Sequence, residues 1–188
     1  MTTNDAEKYA PFAIWGIPSE NVKDRIEIIN RALREEFGGP KLDPHLTVVG
    51  MTSLTRADAL KRFNAACQGL KAYPAHTKGV SIGSSFWQCV YVLLDTNPEV
   101  METSAHCRKH FGYTSDMDTP YMPHMSLLYA NLTNEEKQKA LEKANALDDQ
   151  FGDLGFTIDR LELWITDANE TLSSWEKVDE FHLQKHCH

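Results

Sequence analysis

Hydrophobic residues recur at the helical spacing of three and four positions in four stretches of the chain. Two of these stretches also carry the start signals of a helix. Asn97 followed by Pro98 is typical of an N-cap and a first helical residue, and Thr133 with Glu136 forms the order of a capping box. The predicted helices cover residues 22–37, 59–70 and 97–112 and the segment that begins at residue 133.

Seven other stretches are rich in β-branched and aromatic residues and are predicted to be strands. The stretch 86–94 is apolar on both faces, which favours a central strand, and Gly83, Ser84 and Ser85 are predicted to turn a hairpin into it. Strands mixed with helices, with at least one hairpin, indicate an α+β fold rather than a doubly wound parallel sheet. The predicted strands are residues 11–17, 45–51, 72–83, 86–94, 123–130, 154–165 and 174–183.

One order of residues occurs twice, as Pro-His-Leu-Thr-Val at residues 44–48 and as Pro-His-Met-Ser-Leu at residues 123–127. Each copy follows a predicted helix that ends in Phe-Gly, and each precedes a Leu-Thr pair that begins the next helix. The two histidines therefore hold equivalent places in two similar units. If the units pack about a pseudo-two-fold axis, both histidines can point into one shared groove.

Alternation along a strand places one imidazole and one hydroxyl side by side in each copy. His45 and Thr47 share a face, as do His124 and Ser126, while the apolar residues between them point into the core. Two histidines that flank a phosphate can activate a water and protonate the leaving oxygen, and hydroxyls can donate to the remaining phosphate oxygens. The pair predicts a site for a phosphate ester, in particular a cyclic phosphodiester.

Size, composition and charge narrow the class of protein. The chain has 188 residues, 41% of them hydrophobic and 24% charged, as expected for a soluble single domain spanning residues 1–188. We expect a cytoplasmic monomer that contacts no membrane, although a nuclear location stays open. The net charge of −8 argues against a protein that coats long nucleic acid but is compatible with a small phosphorylated substrate.

Other groups of reactive side chains carry less information. The four cysteines form no CxxC pair, so we expect reduced and mostly buried thiols. His106 and His110 have a spacing that could hold a metal on a helix, but no third ligand is evident and a solvated helix face is favoured. No carboxylate that could hold a divalent ion is expected beside either histidine motif. The histidine-rich tail could bind adventitious metal or be disordered, and we assign it no function.

The tetrads His45-Leu46-Thr47-Val48 and His124-Met125-Ser126-Leu127 resemble those of the two-histidine phosphoesterase superfamily. Further stretches, including "ALREEFGGPKLDPHLTV", "FWQCVYVLL" and "TPYMPHMSLLYANLTNEEK", resemble the plant-type cyclic nucleotide phosphodiesterases. The likeness runs from about residue 12 to residue 178, and residues 179–188 form the tail beyond it.

The resemblance implies a bilobal fold, with antiparallel sheets that line a central groove and helices outside. It implies metal-independent hydrolysis, without a cofactor, of ADP-ribose 1″,2″-cyclic phosphate to ADP-ribose 1″-phosphate, a late step in disposing of a tRNA-splicing by-product. It also implies opening of nucleoside 2′,3′-cyclic phosphates to 2′-phosphates. His45 and His124 would be the catalytic residues, and Thr47 and Ser126 would bind the substrate.

Two aromatic residues also match positions of that family. Tyr129 corresponds to a substrate contact, although strict alternation from His124 puts it on the opposite face, so a bulge or strand end must turn it inward. Trp15 could stack on a base or close the groove. For both residues, packing in the core is the alternative.

Three questions stay open from the sequence. Either histidine could be the base, and the ADP-ribose substrate cannot be ranked against simple cyclic nucleotides. The alternatives to this function are a two-histidine enzyme that acts on RNA 2′,3′-cyclic ends or 2′–5′ linkages, and a non-catalytic nucleotide-binding module.

Overall fold

The structure is a computed structural model that describes residues 8–114 and 120–185. Within these ranges the chain forms seven strands and four helices, so every predicted element is confirmed, with shifted boundaries. The strands are β1 (Tyr9–Pro18), β2 (Leu46–Thr55), β3 (Tyr73–Ser85), β4 (Gln88–Leu94), β5 (His124–Leu128), β6 (Gly155–Ile165) and β7 (Glu176–His182), and the helices are α1 (Glu20–Phe37), α2 (Arg56–Cys67), α3 (Pro98–His110) and α4 (Asn134–Leu147).

Local chemistry sets where the helices begin and end. Thr133 and Glu136 form the predicted capping box at the start of α4, and Pro98 is the first residue of α3. The predicted second helix continues to residue 70, but α2 ends at Cys67. Gly69 follows with a φ of 77°, a left-handed conformation that glycine adopts at low cost and that does not continue a helix.

All seven strands belong to one antiparallel sheet. One group, β7-β6-β1-β2, forms the first half-sheet, and the group β3-β4-β5 forms the second half-sheet. The start of β6 pairs with β3, whereas β2 and β5 pair through a single residue pair, Leu46 and Met125. The α+β class is confirmed, and the two predicted sheets are joined at these two places. The weaker join, between β2 and β5, is called the seam below.

The helices pack in two pairs. α1 lies against α4, and these two helices contact strands β3, β4 and β5 of the second half-sheet. α2 lies against α3, and both contact β2 of the first half-sheet. α1, from the first half of the sequence, packs on β5 of the second half, and α3, from the second half, packs on β2 of the first half. Each half of the sequence therefore covers strands of the other half.

One prediction about local structure was wrong. The hairpin between β3 and β4 turns at Phe86 and Trp87 rather than at residues 83–85. The predicted last strand is β7, so the first residues of the segment 179–188 belong to this strand, and Gln184 forms a bridge to Lys71. Residues 186–188, which include Cys187, lie outside the described residues.

The core is built from buried aliphatic and aromatic side chains of the strands and helices, and it includes the expected buried thiols. Cys67, Cys89 and Cys107 are free and buried, and burial raises the pKa of each thiol. No helix among the described residues is long and apolar enough to cross a membrane.

Candidate active site

A cavity of about 260 Å³ lies beside the seam between the two half-sheets. The structure brings all six side chains predicted for the site to its wall. They are Trp15, His45, Thr47, His124, Ser126 and Tyr129.

The seam aligns the two motifs with each other. Leu46 of β2 pairs with Met125 of β5 in antiparallel register. Continuing this register by one residue each way places His45 opposite Ser126 and Thr47 opposite His124. Residues opposite one another in an antiparallel pair share a face and lie roughly 5 Å apart. Each imidazole therefore faces the hydroxyl of the other motif, as a pseudo-two-fold axis requires.

Both imidazole rings are held by the backbone in the same way. Nδ1 of His45 lies 2.7 Å from the carbonyl oxygen of Asp43, and Nδ1 of His124 lies 2.8 Å from that of Met122. A carbonyl oxygen only accepts, so Nδ1 must carry the hydrogen in both rings. Nε2 is then the nitrogen left for proton transfer, and among the described residues neither Nε2 has a hydrogen-bond partner.

The environment of His45 favours its neutral form. The side chain is buried, and burial lowers its pKa from 6.5 to about 4, with a further lowering by the charge of His124. The hydrogen bond to the Asp43 carbonyl opposes this shift but does not cancel it. At neutral pH, Nε2 of His45 is therefore an unprotonated acceptor.

Trp15 supports His45 rather than offering a face to a ligand. Its ring centroid lies 3.6 Å from that of His45 at an angle of 6°, and its other face stacks on Trp164 at 4.2 Å. Only 1% of the residue is exposed. Both faces are covered, so the predicted stacking of Trp15 on a base finds no room here, and only the ring edge reaches the cavity.

Tyr129 reaches the cavity because the regular alternation of side chains along β5 is interrupted before this residue, as the sequence predicted. The pairing of β4 with β5 shifts register between Ser126 and Leu128, and β5 ends at Leu128. Burial raises the pKa of Tyr129 to about 12, so its hydroxyl stays protonated and can donate. Gly39, with a φ of 94°, allows this turn, because a Cβ there would collide with the Tyr129 carbonyl oxygen.

Two buried side chains that the sequence analysis did not identify anchor the tetrads. Asn30 of α1 donates to the carbonyl of Leu127 at 2.9 Å, and Ser104 of α3 donates to the carbonyl of Val48 at 2.7 Å. Leu127 and Val48 are the fourth residues of their tetrads. The repeat could have revealed the pair, because each donor lies seven residues before the Phe of its Phe-Gly pair.

An aromatic rim was also missed. Trp87 in the β3–β4 turn stacks on Trp175 with ring centroids 5.6 Å apart and an angle of 14°, and both line the cavity. Tyr129 meets the edge of Trp87 at 5.2 Å. Unlike Trp15, Trp87 and Trp175 are partly exposed and lie at the margin of the cavity, where a planar ligand can reach them.

The cavity wall holds one carboxylate that the sequence analysis did not expect, that of Asp167. It accepts hydrogen bonds from Ser174 Oγ at 2.6 Å and the backbone N–H of Asn169 at 2.9 Å, and the Ser174 bond is the main cause of its lowered pKa. Within residues 8–114 and 120–185, no cluster of three or more His, Cys, Asp or Glu could hold a metal ion.

The pair His106 and His110 lies away from this cavity. The two rings are 4.7 Å apart, but Nε2 of His106 lies 2.9 Å from the carbonyl oxygen of Ala66 and donates to it. Because Nε2 of His106 carries a hydrogen in this bond, it is not available to bind a metal ion together with His110.

Comparison with known proteins agrees with this geometry. A curated protein of Arabidopsis thaliana named "Cyclic phosphodiesterase" is 48% identical over 168 residues, which is 89% of this chain and 92% of that protein. The crystal structure of Escherichia coli LigT in apo form has a TM-score of 0.62 at 11% identity and covers 95% of this chain and 99% of its own. TT0787 of Thermus thermophilus has a TM-score of 0.62 at 12% identity, over 94% of this chain and 100% of its own.

The two solved structures show a shared fold, whereas the Arabidopsis protein shows kinship in sequence. The resemblance to cyclic phosphodiesterases of the two-histidine type is thereby confirmed. The model of the 2′-5′ RNA ligase superfamily matches residues 18–170, and the chain belongs to that superfamily.

Proposed function

We propose that this protein is a cyclic phosphodiesterase that opens ADP-ribose 1″,2″-cyclic phosphate to the 1″-phosphate and nucleoside 2′,3′-cyclic phosphates to 2′-phosphates. One observation carries the proposal: two imidazoles with available Nε2 atoms and two hydroxyls face each other across the seam at a single cavity. The name of the Arabidopsis relative supports a cyclic phosphodiesterase activity.

The chemistry follows from the placement of these groups. The phosphate lies between the imidazoles, with Thr47 and Ser126 donating to its non-bridging oxygens, where charge builds up. A water attacks phosphorus while one imidazole takes its proton. The P–O3′ bond of a nucleoside 2′,3′-cyclic phosphate breaks on the opposite side, and the other imidazole gives a proton to the departing oxygen.

We assign the base to His45 and the acid to His124. His45 is buried and neutral, so it can accept the proton of the water. The imidazolium that forms lies against the face of Trp15, which favours a cation by its ring quadrupole. His124 is partly exposed, so solvent can return the proton that it gives away.

The aromatic rim gives the rest of the substrate a place. A nucleobase can extend the stack of Trp87 and Trp175, and Tyr129 can donate from its protonated hydroxyl. This arrangement replaces Trp15 as the candidate contact to the base.

The main test is product analysis. The pure protein is incubated with ADP-ribose 1″,2″-cyclic phosphate and with the four nucleoside 2′,3′-cyclic phosphates, and the products are separated by chromatography. We expect a single isomer, the nucleoside 2′-phosphate, because in-line attack between two fixed imidazoles breaks one bond of the ring. A 3′-phosphate or a mixture would contradict the proposed placement. Tight binding without turnover would instead indicate a nucleotide-binding module, and turnover only of oligonucleotide ends would indicate an RNA-processing enzyme.

A second test separates the two histidines. In a 3′-thio analogue of the cyclic phosphate the leaving atom is sulfur, which departs without a proton. His124→Ala should lose much less activity on this analogue than on the oxygen substrate, whereas His45→Ala should lose activity on both. The reverse pattern would exchange the two roles.

A further inference from the structure

A second cavity of about 460 Å³ lies beside the end of α3. Its wall includes Arg108 and Lys109 from the end of α3, and Tyr113 and Tyr121. A smaller cleft of about 200 Å³ is lined both by His124 and by Arg108, so it connects the two cavities. A ligand whose phosphate lies at the histidines can therefore extend to Arg108.

The charge of Arg108 has no acidic partner among the described residues. Its guanidinium lies between two rings, 5.1 Å from the centroid of Tyr121 and 5.7 Å from that of Tyr113. Nε of Arg108 is buried, and no described residue forms a hydrogen bond with it. Cations are common in the last turn of a helix, so the charge alone indicates no ligand. A buried donor without a partner beside a cavity is a stronger sign of a ligand. Leaving such a donor without a hydrogen bond costs free energy, and an acceptor on a ligand would remove that cost.

The two tyrosine hydroxyls fix this wall to the first half-sheet. Thr52 Oγ1 gives its one hydrogen to the carbonyl of Gly50 at 3.1 Å, so the Tyr113 hydroxyl, 3.2 Å away, donates to Thr52 Oγ1. Tyr121 donates to the carbonyl of Thr47 at 2.8 Å, which ties this wall to the first tetrad. Within the described residues, the second cavity presents cations and hydroxyls and is lined by no carboxylate. In a chain with a net charge of −8, this wall is a local concentration of positive charge.

We propose that Arg108, with Lys109, binds a phosphoryl group on the 5′ carbon of the ribose whose cyclic phosphate lies between His45 and His124. The inference rests on the proposed function and adds a preference for small cyclic phosphates that carry this second anion. In ADP-ribose 1″,2″-cyclic phosphate the corresponding group is the diphosphate on the 5″ carbon. A guanidinium suits it, because its planar donors bind phosphate oxygens in pairs. A nucleoside 2′,3′-cyclic phosphate with a free 5′ hydroxyl cannot form this contact.

The test compares two substrates that differ by one group, adenosine 2′,3′-cyclic phosphate and the same compound with a 5′-phosphate. The readout is the ratio of their kcat/KM values. We expect the unmodified protein to prefer the 5′-phosphorylated compound by about 10-fold or more, as for a charge-assisted hydrogen bond. Arg108→Gln should reduce this ratio to near unity, and Arg108→Lys should restore part of it.

The matched control is Arg31→Gln, which removes the same charge from an exposed position on α1 and should leave the ratio unchanged. A ratio near unity in the unmodified protein would overturn the proposal, as would an Arg108→Gln variant that keeps the preference or loses activity equally on both compounds. Absence of turnover with every cyclic phosphate would refute the proposed function itself.

Two further substrates identify the source of the second anion. ADP-ribose 1″,2″-cyclic phosphate and a dinucleotide with a 2′,3′-cyclic end both carry a phosphoryl group at the relevant carbon. We expect Arg108→Gln to affect the ADP-ribose compound most. A larger effect on the dinucleotide would refute the small-molecule assignment and place an RNA strand in the second cavity.

Discussion

The buried, neutral state of His45 leads to a prediction about stability in mild acid. Burial, with a smaller contribution from His124, lowers its pKa from 6.5 to about 4 in the folded protein. In the unfolded chain the pKa returns to about 6.5. Between these two values the unfolded chain binds a proton that the folded protein does not bind. The free energy of unfolding must therefore fall as the pH falls through this window.

The size of the effect follows from the shift. Each unit of pKa corresponds to about 1.4 kcal/mol, so a shift of roughly two and a half units amounts to about 3 kcal/mol. This loss is complete only below pH 4 and is absent above about pH 6.5. It is a large part of the stability of an ordinary domain, which is about 5–15 kcal/mol.

The matched variant is His45→Asn. Asparagine does not titrate, and its amide nitrogen can keep the hydrogen bond to the Asp43 carbonyl. Urea denaturation of both proteins at several values from about pH 7 to about pH 4 gives the two free-energy curves. The unmodified protein should lose about 3 kcal/mol more than the variant over this range.

The difference between the two curves isolates His45 from other titrating groups. Asp148 and Asp167 also have lowered pKa values, through hydrogen bonds to Arg25 and Ser174, and they lose their contribution as they become protonated. That loss is common to both proteins. Parallel curves would refute the reasoning, because they would mean that His45 is solvated or charged in the folded state.

Four further predictions test other parts of the site. Replacing His45 or His124 with Ala should each lower turnover by about 100-fold or more, and the double variant should lose less than the product of the two. Activity should survive a chelator, because the one carboxylate on the cavity wall is already hydrogen-bonded; a loss restored only by one divalent ion would contradict this. Trp15→Leu should lower kcat by about 10-fold with little change in KM, since Trp15 supports a catalytic ring, whereas a raised KM would restore its role in substrate stacking. Gly39→Ala should lower the free energy of unfolding by about 1–3 kcal/mol in urea denaturation, because the added Cβ meets the Tyr129 carbonyl; an unchanged value would show that the loop adjusts freely.

Periodicity and repetition were enough to predict the elements and the shared groove. Each helix and strand carries a local pattern, and two copies of one motif in equivalent places imply a common site. The position of the hairpin turn could not be predicted in this way. Gly83 is needed where the strand passes close to the Gln88 carbonyl, not where the chain reverses. Phe86 and Trp87 occupy the turn because they pack on Tyr129.

The chemical state of the histidines also required the structure. Proline before each histidine is visible in the sequence, but the hydrogen bond from Nδ1 to the carbonyl two residues earlier depends on how the chain bends there. His45 is buried and His124 is partly exposed. The repeat gives both histidines the same local sequence, so this difference in burial could not be predicted from it. Trp15 is the clearest case, because the sequence left open whether it contacts the substrate or packs in the core, and the structure shows His45 and Trp164 against its ring.

In each half of the chain, the hydrogen bond that supports the catalytic strand comes from the other half. This bears on how such a chain could evolve and on whether it can be cut into two fragments. Asn30, from the first unit, holds the catalytic strand of the second, and Ser104, from the second unit, holds that of the first. Neither unit on its own would contain a supported histidine. This is the pattern left when two copies of an intertwined homodimer become fused into one polypeptide. Two fragments cut between α2 and β3 should accordingly be inactive when separate and regain activity on mixing.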